Sequence, residues 1–137
     1  MCGVTGILHF GRPEPVSADV LNLMNNTIVH RGPDDDGTYV SANGRAGLGH
    51  RRLSIIDTTK GGAQPMSNED GSVWVSYNGE IYNHVSLRRE LEGQGYRFRS
   101  DHSDTEVLVD GYQAWGLRGL LERLEGMYVF AILDETS

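Results

Sequence analysis

The chain has 137 residues, 38% hydrophobic and 23% charged, with 12 Lys and Arg against 19 Asp and Glu for a net charge of −7. That length and composition predict one globular domain burying roughly two-thirds of the surface its unfolded form exposes. The negative balance opposes binding to phosphate backbones and excludes nucleic acid as an expected partner, and the longest strongly apolar run, residues 127–133, is far short of the ~20 residues of a membrane-spanning helix.

In chain order, residues 4–10 are apolar and β-rich up to a Gly-Arg-Pro-Glu-Pro turn, which predicts a buried strand. Gly3 and Gly6 interrupt this apolar start and no basic segment precedes it, so a secretory signal is not expected and the cytoplasm is the expected compartment. Ser17 as N-cap, Asp19 in the first turn and Val20, Leu21, Met24 and Ile28 at helical spacing predict a helix ending near His30. HRGPDDDG, residues 30–37, reads as an ordered loop, followed by short strands near 37–40, 46–50 and 53–56. VWVSYNGEIYN, residues 73–83, places β-branched and aromatic residues on both sides of Asn78-Gly79 and predicts a hairpin turning at that pair. Val85, Leu87 and Leu91 continue into an amphipathic helix ending at glycines 93 and 95. Ser103 and Glu106 have capping-box spacing for a helix that stops at Gly116. A short helix over 117–124, a strand over 127–133 and the start of a turn over 134–137 complete the pass.

Cys2 is the single cysteine, which excludes an intramolecular disulfide and a cysteine-based zinc site. Its position directly after the initiator methionine gives the thiol a second meaning. Removal of Met1 leaves one residue carrying both a thiol and a free α-amine, whose ordinary pKa of about 7.7–8.0 leaves an appreciable fraction able to accept a proton near neutrality. A nucleophile with a built-in base needs no separate histidine. Taken without context, the same cysteine reads more readily as a small buried hydrophobe.

The context is a series of six motifs: CGVTGI at residues 2–7, HRGPDDDG at 30–37, LGHRRLSIID at 48–57, GAQPM at 62–66, YNGEIYN at 77–83 and SDTEV at 103–107. In this order they resemble the glutaminase domain of glutamine-dependent asparagine synthetases, a branch of the class II amidotransferases within the N-terminal nucleophile hydrolases. The resemblance covers residues 1–137. It implies an α+β fold, a four-layer αββα sandwich, with Cys2 as nucleophile and its freed α-amine as general base. Asn78, through its side-chain amide, and Gly79, through its backbone N–H, resemble the family's oxyanion hole. Arg52 matches the arginine that holds the glutamine α-carboxylate, Glu80 and Asp104 match acids that meet the α-ammonium, and Ile55 and Ile56 occupy positions lining the pocket. Arg31 and Asp34 are expected to order the nearby loop, and His30 and His50 to be structural.

The implied reaction is hydrolysis of L-glutamine through a γ-glutamyl thioester, without metal or organic cofactor. In the resembled family a separate domain, using ATP and magnesium, spends the ammonia on aspartate; its SGGxDS signature does not occur in this sequence. The family's glutaminase domain also continues past residue 137 with further strands. The sandwich is therefore expected to be incomplete at its C-terminal end, with an open edge near 127–133, marginal stability and a tendency toward homo-oligomers. Two other readings stand beside this one: the glutaminase part of another class II amidotransferase, and a catalytically silent interaction domain that keeps the fold, which retention of Met1 would favour.

Overall fold

The computed structural model describes residues 2–54 and 62–136. Among these residues, six strands form two antiparallel sheets. The first holds β1 (Gly3–Leu8), β2 (Asp35–Val40) and β3 (Ala46–Arg52) in the order β1-β3-β2; the second holds β4 (Met66–Ser67), β5 (Val73–Ile81) and β6 (Gly126–Asp134) in the order β4-β5-β6. Helix α1 (Ala18–Thr27) packs on the outer face of the first sheet. Helices α2 (His84–Gly93) and α3 (Thr105–Leu121) cover the second, which gives the four layers that the motifs imply.

The close approach of α1 follows from alternation along β3, which reads Ala-Gly-Leu-Gly-His-Arg-Arg. Successive side chains of a strand point to opposite faces. Gly47 and Gly49 face α1, where a Cβ at 47 would lie 3.0 Å from Leu21 and one at 49 would lie 2.5 Å from the Asn25 side chain. Into that space goes Asn25, 1% exposed, whose Nδ2 donates to Gly37 O at 3.0 Å and His50 O at 3.2 Å while its Oδ1 accepts from Thr5 Oγ1 at 2.6 Å. One helical side chain thus ties α1 to all three strands. Leu48, His50 and Arg52 take the opposite face, between the sheets.

The sheets are joined by polar contacts as well as by packing. Ser76 Oγ donates to Gly49 O at 2.9 Å, and the His50 ring nitrogen Nε2 lies 3.0 Å from Tyr77 O. At one end of the sandwich Tyr39 stacks on Trp74 with ring centroids 3.7 Å apart, and Glu135 accepts from Tyr39 Oη at 2.7 Å and from Ala42 N at 3.0 Å. The apolar core lies between the second sheet and its helices, built on Val75, Tyr77, Ile81, Leu91, Val107 and Leu108.

Several sequence expectations change. Asn78-Gly79 is not a hairpin turn: β5 runs unbroken from Val73 to Ile81, with all nine residues registered against β6. The predicted loop over 30–37 is shorter, because Val29–Arg31 forms a 3-10 turn and β2 begins at Asp35, with Asp35 and Asp36 opposite Arg52 and Arg51. Helix α1 accordingly ends at Thr27. The capping box does not form: Glu106 accepts instead from Arg99 N at 2.6 Å and Ser100 N at 3.0 Å, holding the preceding loop. The predicted strand over 53–56 is not seen at Leu53 and Ser54, where β3 has ended, and its remainder lies outside the described residues. β1 is an edge strand with Leu8 57% exposed, so it is only partly buried. The helix break at Gly116 occurs as expected, at a φ of 67° and ψ of 175°, and divides α3 into two helical segments joined at a kink. Among the described residues β6 pairs with β5 alone, and Met127 and Val129 on it are 67% and 56% exposed.

Candidate active site

Cys2 sits just ahead of β1, and pairing of Gly3 with Arg51 brings its half-buried side chain to the end of β3. There the Leu53 backbone N–H donates to Cys2 Sγ at 3.4 Å. Directly after Cys2, a Cβ at position 3 would lie 2.5 Å from Ile28 Cδ1 and 3.3 Å from Arg31 Cβ, so a larger residue there would displace those side chains.

The adjacent arginines diverge because a strand alternates. Arg51 turns toward α1, where Nε donates to Asn25 O at 3.1 Å and Nη1 pairs with Asp36 at 3.3 Å. Arg52 turns between the sheets and is 8% exposed. The RGPD segment clamps this strand end: Asp34 N donates to Arg52 O at 3.1 Å, Asp34 Oδ2 accepts from Ser54 N at 2.7 Å, and a Cβ on Gly32 would lie 2.5 Å from Arg52 N. The loop-ordering role expected of Asp34 is visible in these bonds.

From the second sheet come Asn78, half-buried, Gly79, half-buried, and Glu80, exposed. Gly79 is opposite Tyr128, and a Cβ there would lie 2.6 Å from Tyr128 Cα, so only glycine allows β6 this close. Asp104, at the start of α3, accepts from Tyr77 Oη at 2.6 Å and from Ile81 N at 3.2 Å. Cys2, Arg52, Asn78, Gly79, Glu80 and Asp104 line one cavity of about 750 Å³. Ile55 and Ile56 lie outside the described residues, as does Met1. A larger cavity of about 1050 Å³, beside residues 67–70 and 94–100, contains none of these groups.

The cavity sets one buried cation, Arg52, against two carboxylates, Glu80 and Asp104, a charge pattern complementary to an α-amino acid. His50 is 1% exposed, and burial pushes its pKa down to about 4. It is therefore neutral at physiological pH, and because a carbonyl only accepts, Nε2 carries the proton that bonds Tyr77 O. Its structural role agrees with expectation, and exposed His30 is not among the residues lining the cavity. Among the described residues no group of three or more His, Cys, Asp and Glu is arranged to hold a metal ion, and no helix is long and apolar enough to cross a membrane.

Sequence reasoning assigned no role to Gln64, Leu53 or Tyr77. Gln64, joined to Pro65 by a cis peptide bond, accepts from Tyr77 N at 2.7 Å through its side chain and so acts as a one-residue strand partner for β5. Gln64, Leu53 and Tyr77 all stand inside the motifs, which was the available signal; a backbone donor such as the Leu53 N–H leaves no mark in residue type.

Comparison with known proteins adds the following. A family model described as "Glutamine amidotransferase domain" matches residues 1–137. Asparagine synthetase [glutamine-hydrolyzing] 1 of Bacillus subtilis is 46% identical over 140 residues, covering 100% of this chain and 21% of that protein. Asparagine synthetase B [glutamine-hydrolyzing] of Escherichia coli is 39% identical over 140 residues, covering 98% and 23%. This chain thus spans about a fifth of the length of the curated relatives it matches. Among solved structures, the B. subtilis glutamine phosphoribosylpyrophosphate amidotransferase complexed with ADP and GMP superposes with a TM-score of 0.76 at 24% identity, over 96% of this chain and 35% of that one. At that identity the likeness bears on the fold alone, which that structure shares with the αββα sandwich described above.

Proposed function

This chain belongs to the glutamine amidotransferase domain family, and from that premise we propose that residues 1–137 act as a glutaminase unit in which Cys2, once Met1 is removed, hydrolyses L-glutamine to glutamate and ammonia. Arg52 receives the substrate α-carboxylate, and Glu80 and Asp104 receive the α-ammonium, which leaves the side-chain amide at Cys2. The α-amine of Cys2 takes the thiol proton as sulfur attacks the amide carbon. The oxyanion that forms accepts from the Asn78 side-chain amide and the Gly79 N–H, and the Leu53 N–H steadies the sulfur before attack. The ammonium of Cys2 then returns its proton to the departing nitrogen, releasing ammonia and leaving a γ-glutamyl thioester. Water, deprotonated by the same amine, attacks the thioester and restores the thiol.

The observation that carries this reading is the meeting of Cys2, Arg52, Asn78, Gly79, Glu80 and Asp104, from two sheets and a helix start, around one cavity. Each proton in these steps has a donor and acceptor in the chain or substrate, so the reading assigns the glutaminase step no metal or organic cofactor. The ammonia would serve an ATP-dependent synthetase domain or subunit that amidates aspartate, with ATP and magnesium acting there. A reduced nucleophilic thiol fits a cytoplasmic setting.

The test is ammonia release from glutamine by the processed protein, with intact mass establishing loss of Met1. Cys2→Ala is expected to abolish release. Undiminished hydrolysis by Cys2→Ala, or by protein shown to retain Met1, contradicts the assignment.

A further inference from the structure

Asp104 occupies the N-cap position of α3, where an aspartate ordinarily accepts from the first free helix N–H groups. It does not do so: its side chain makes no capping hydrogen bond. One oxygen, Oδ2, instead takes two donors, Tyr77 Oη at 2.6 Å and Ile81 N at 3.2 Å. Both donors belong to β5, the strand that carries Asn78, Gly79 and Glu80. The carboxylate is thereby fixed in rotation, and its second oxygen, Oδ1, takes no hydrogen bond among the described residues at the cavity that Asp104 lines. Tyr77 in turn is held firmly. It is 4% exposed in the core between the second sheet and α3, and its backbone N–H is anchored on Gln64 Oε1 at 2.7 Å. Its phenol also keeps its proton: burial first, then the bond to Asp104, raises the pKa well above the usual tyrosine value.

We infer that Tyr77 is a positioning residue for amino-acid selectivity, orienting Asp104 so that its outward oxygen meets a primary α-ammonium group. The inference rests on the proposed glutamine reading of the cavity and deepens it. A carboxylate free to rotate would spread its charge over several orientations, whereas one pinned through Oδ2 presents a preorganised acceptor, the arrangement in which a charge-assisted hydrogen bond discriminates best. Tyr77 need not touch the substrate to do this.

The prediction separates orientation from packing. In Met1-free protein carrying Cys2→Ala, so that nothing turns over, dissociation constants are measured for glutamine and for its deamino analogue, 4-carbamoylbutanoic acid. Tyr77→Phe keeps the ring and removes the hydroxyl. It is expected to weaken glutamine binding roughly tenfold, the scale of one hydrogen bond to a charged group, and to leave the deamino ligand unchanged. Combined with Asp104→Asn, Tyr77→Phe should have no further effect on glutamine, because the hydroxyl acts only through that carboxylate. Equal weakening of both ligands, an unchanged ratio, or full additivity with Asp104→Asn overturns the inference while leaving the glutaminase reading intact. Failure of the parent protein to bind either ligand overturns the glutaminase reading and this inference with it.

Discussion

Arg52 and Asn78 reach the same cavity from different sheets, and in the proposed reaction the charges they meet change differently. The α-carboxylate bears the same charge in ground and transition states, so Arg52→Ala is expected to raise KM with a lesser effect on kcat. Negative charge on the amide oxygen exists only as sulfur attacks, so Asn78→Ala is expected to lower kcat by about 10²–10³ with little change in KM. Ammonia release as a function of glutamine concentration measures both, and an Asn78→Ala protein altered in KM alone contradicts the oxyanion assignment. That these residues meet at one cavity was legible in the sequence because the motifs fix their order. Asn25 was not legible. An asparagine within an amphipathic helix gives no one-dimensional sign that its partners Thr5, Gly37 and His50 lie in three separate strands. Tyr77 read as a strand aromatic, since a phenol bond to Asp104, 27 residues away, leaves no local pattern.

At the scale of elements, the instructive failure is Asn78-Gly79. Local preference for a turn was overridden by nine residues of pairing with β6, and the glycine is explained by the closeness of that strand. Gly79→Ala should therefore act by overpacking and destabilise the fold by about 1–3 kcal/mol. Urea denaturation reads this directly; an unchanged midpoint would mean that β6 yields without cost. The acidic run at 34–36 misled in the opposite sense, since three acids and a proline suggest a loop, yet Asp36 is stabilised in a strand by pairing with Arg51. The helices α1, α2 and α3 were readable because amphipathic spacing is a local property. Strand register and the failed capping box were not, because Glu106 satisfies loop amides at 99 and 100 that only the tertiary fold brings to it.

For the molecule as a whole, the two sheets must keep a fixed relation, because Cys2 and Arg52 ride on the first and Asn78, Gly79 and Glu80 on the second. Tyr39, Trp74 and Glu135 fasten one end, and the His50–Tyr77 and Ser76–Gly49 bonds lie between that end and the cavity. This makes the inter-sheet histidine a source of acid sensitivity. Its folded pKa of about 4 lies below the ordinary 6.5, so the unfolded chain binds more protons between those values. The stability it contributes is present above about pH 6.5 and is lost as pH falls through 4. Asp110 opposes this: burial, reinforced by Glu106, raises its pKa from 3.8 to about 6, so its contribution falls as pH rises through that window. The parent's slope is thus a difference of two effects. His50→Gln, which keeps an N–H donor but does not titrate, should lose less stability than the parent between pH 7 and 4.5; an identical loss in chemical denaturation at both pH values contradicts a neutral buried imidazole.

In the proposed reaction one residue, Cys2, supplies both nucleophile and base at a cavity that Arg52, Glu80 and Asp104 also line. The intact mass of the chain after exposure to a glutamine analogue carrying an electrophile in place of the side-chain amide, with and without Met1, tests this directly. A single adduct on Cys2 is expected in the Met1-free chain, prevented by excess glutamine and absent when Met1 is retained. Equal labelling of both forms, or labelling that glutamine does not suppress, would mean that the Cys2 α-amine is not the base or that glutamine does not occupy this cavity.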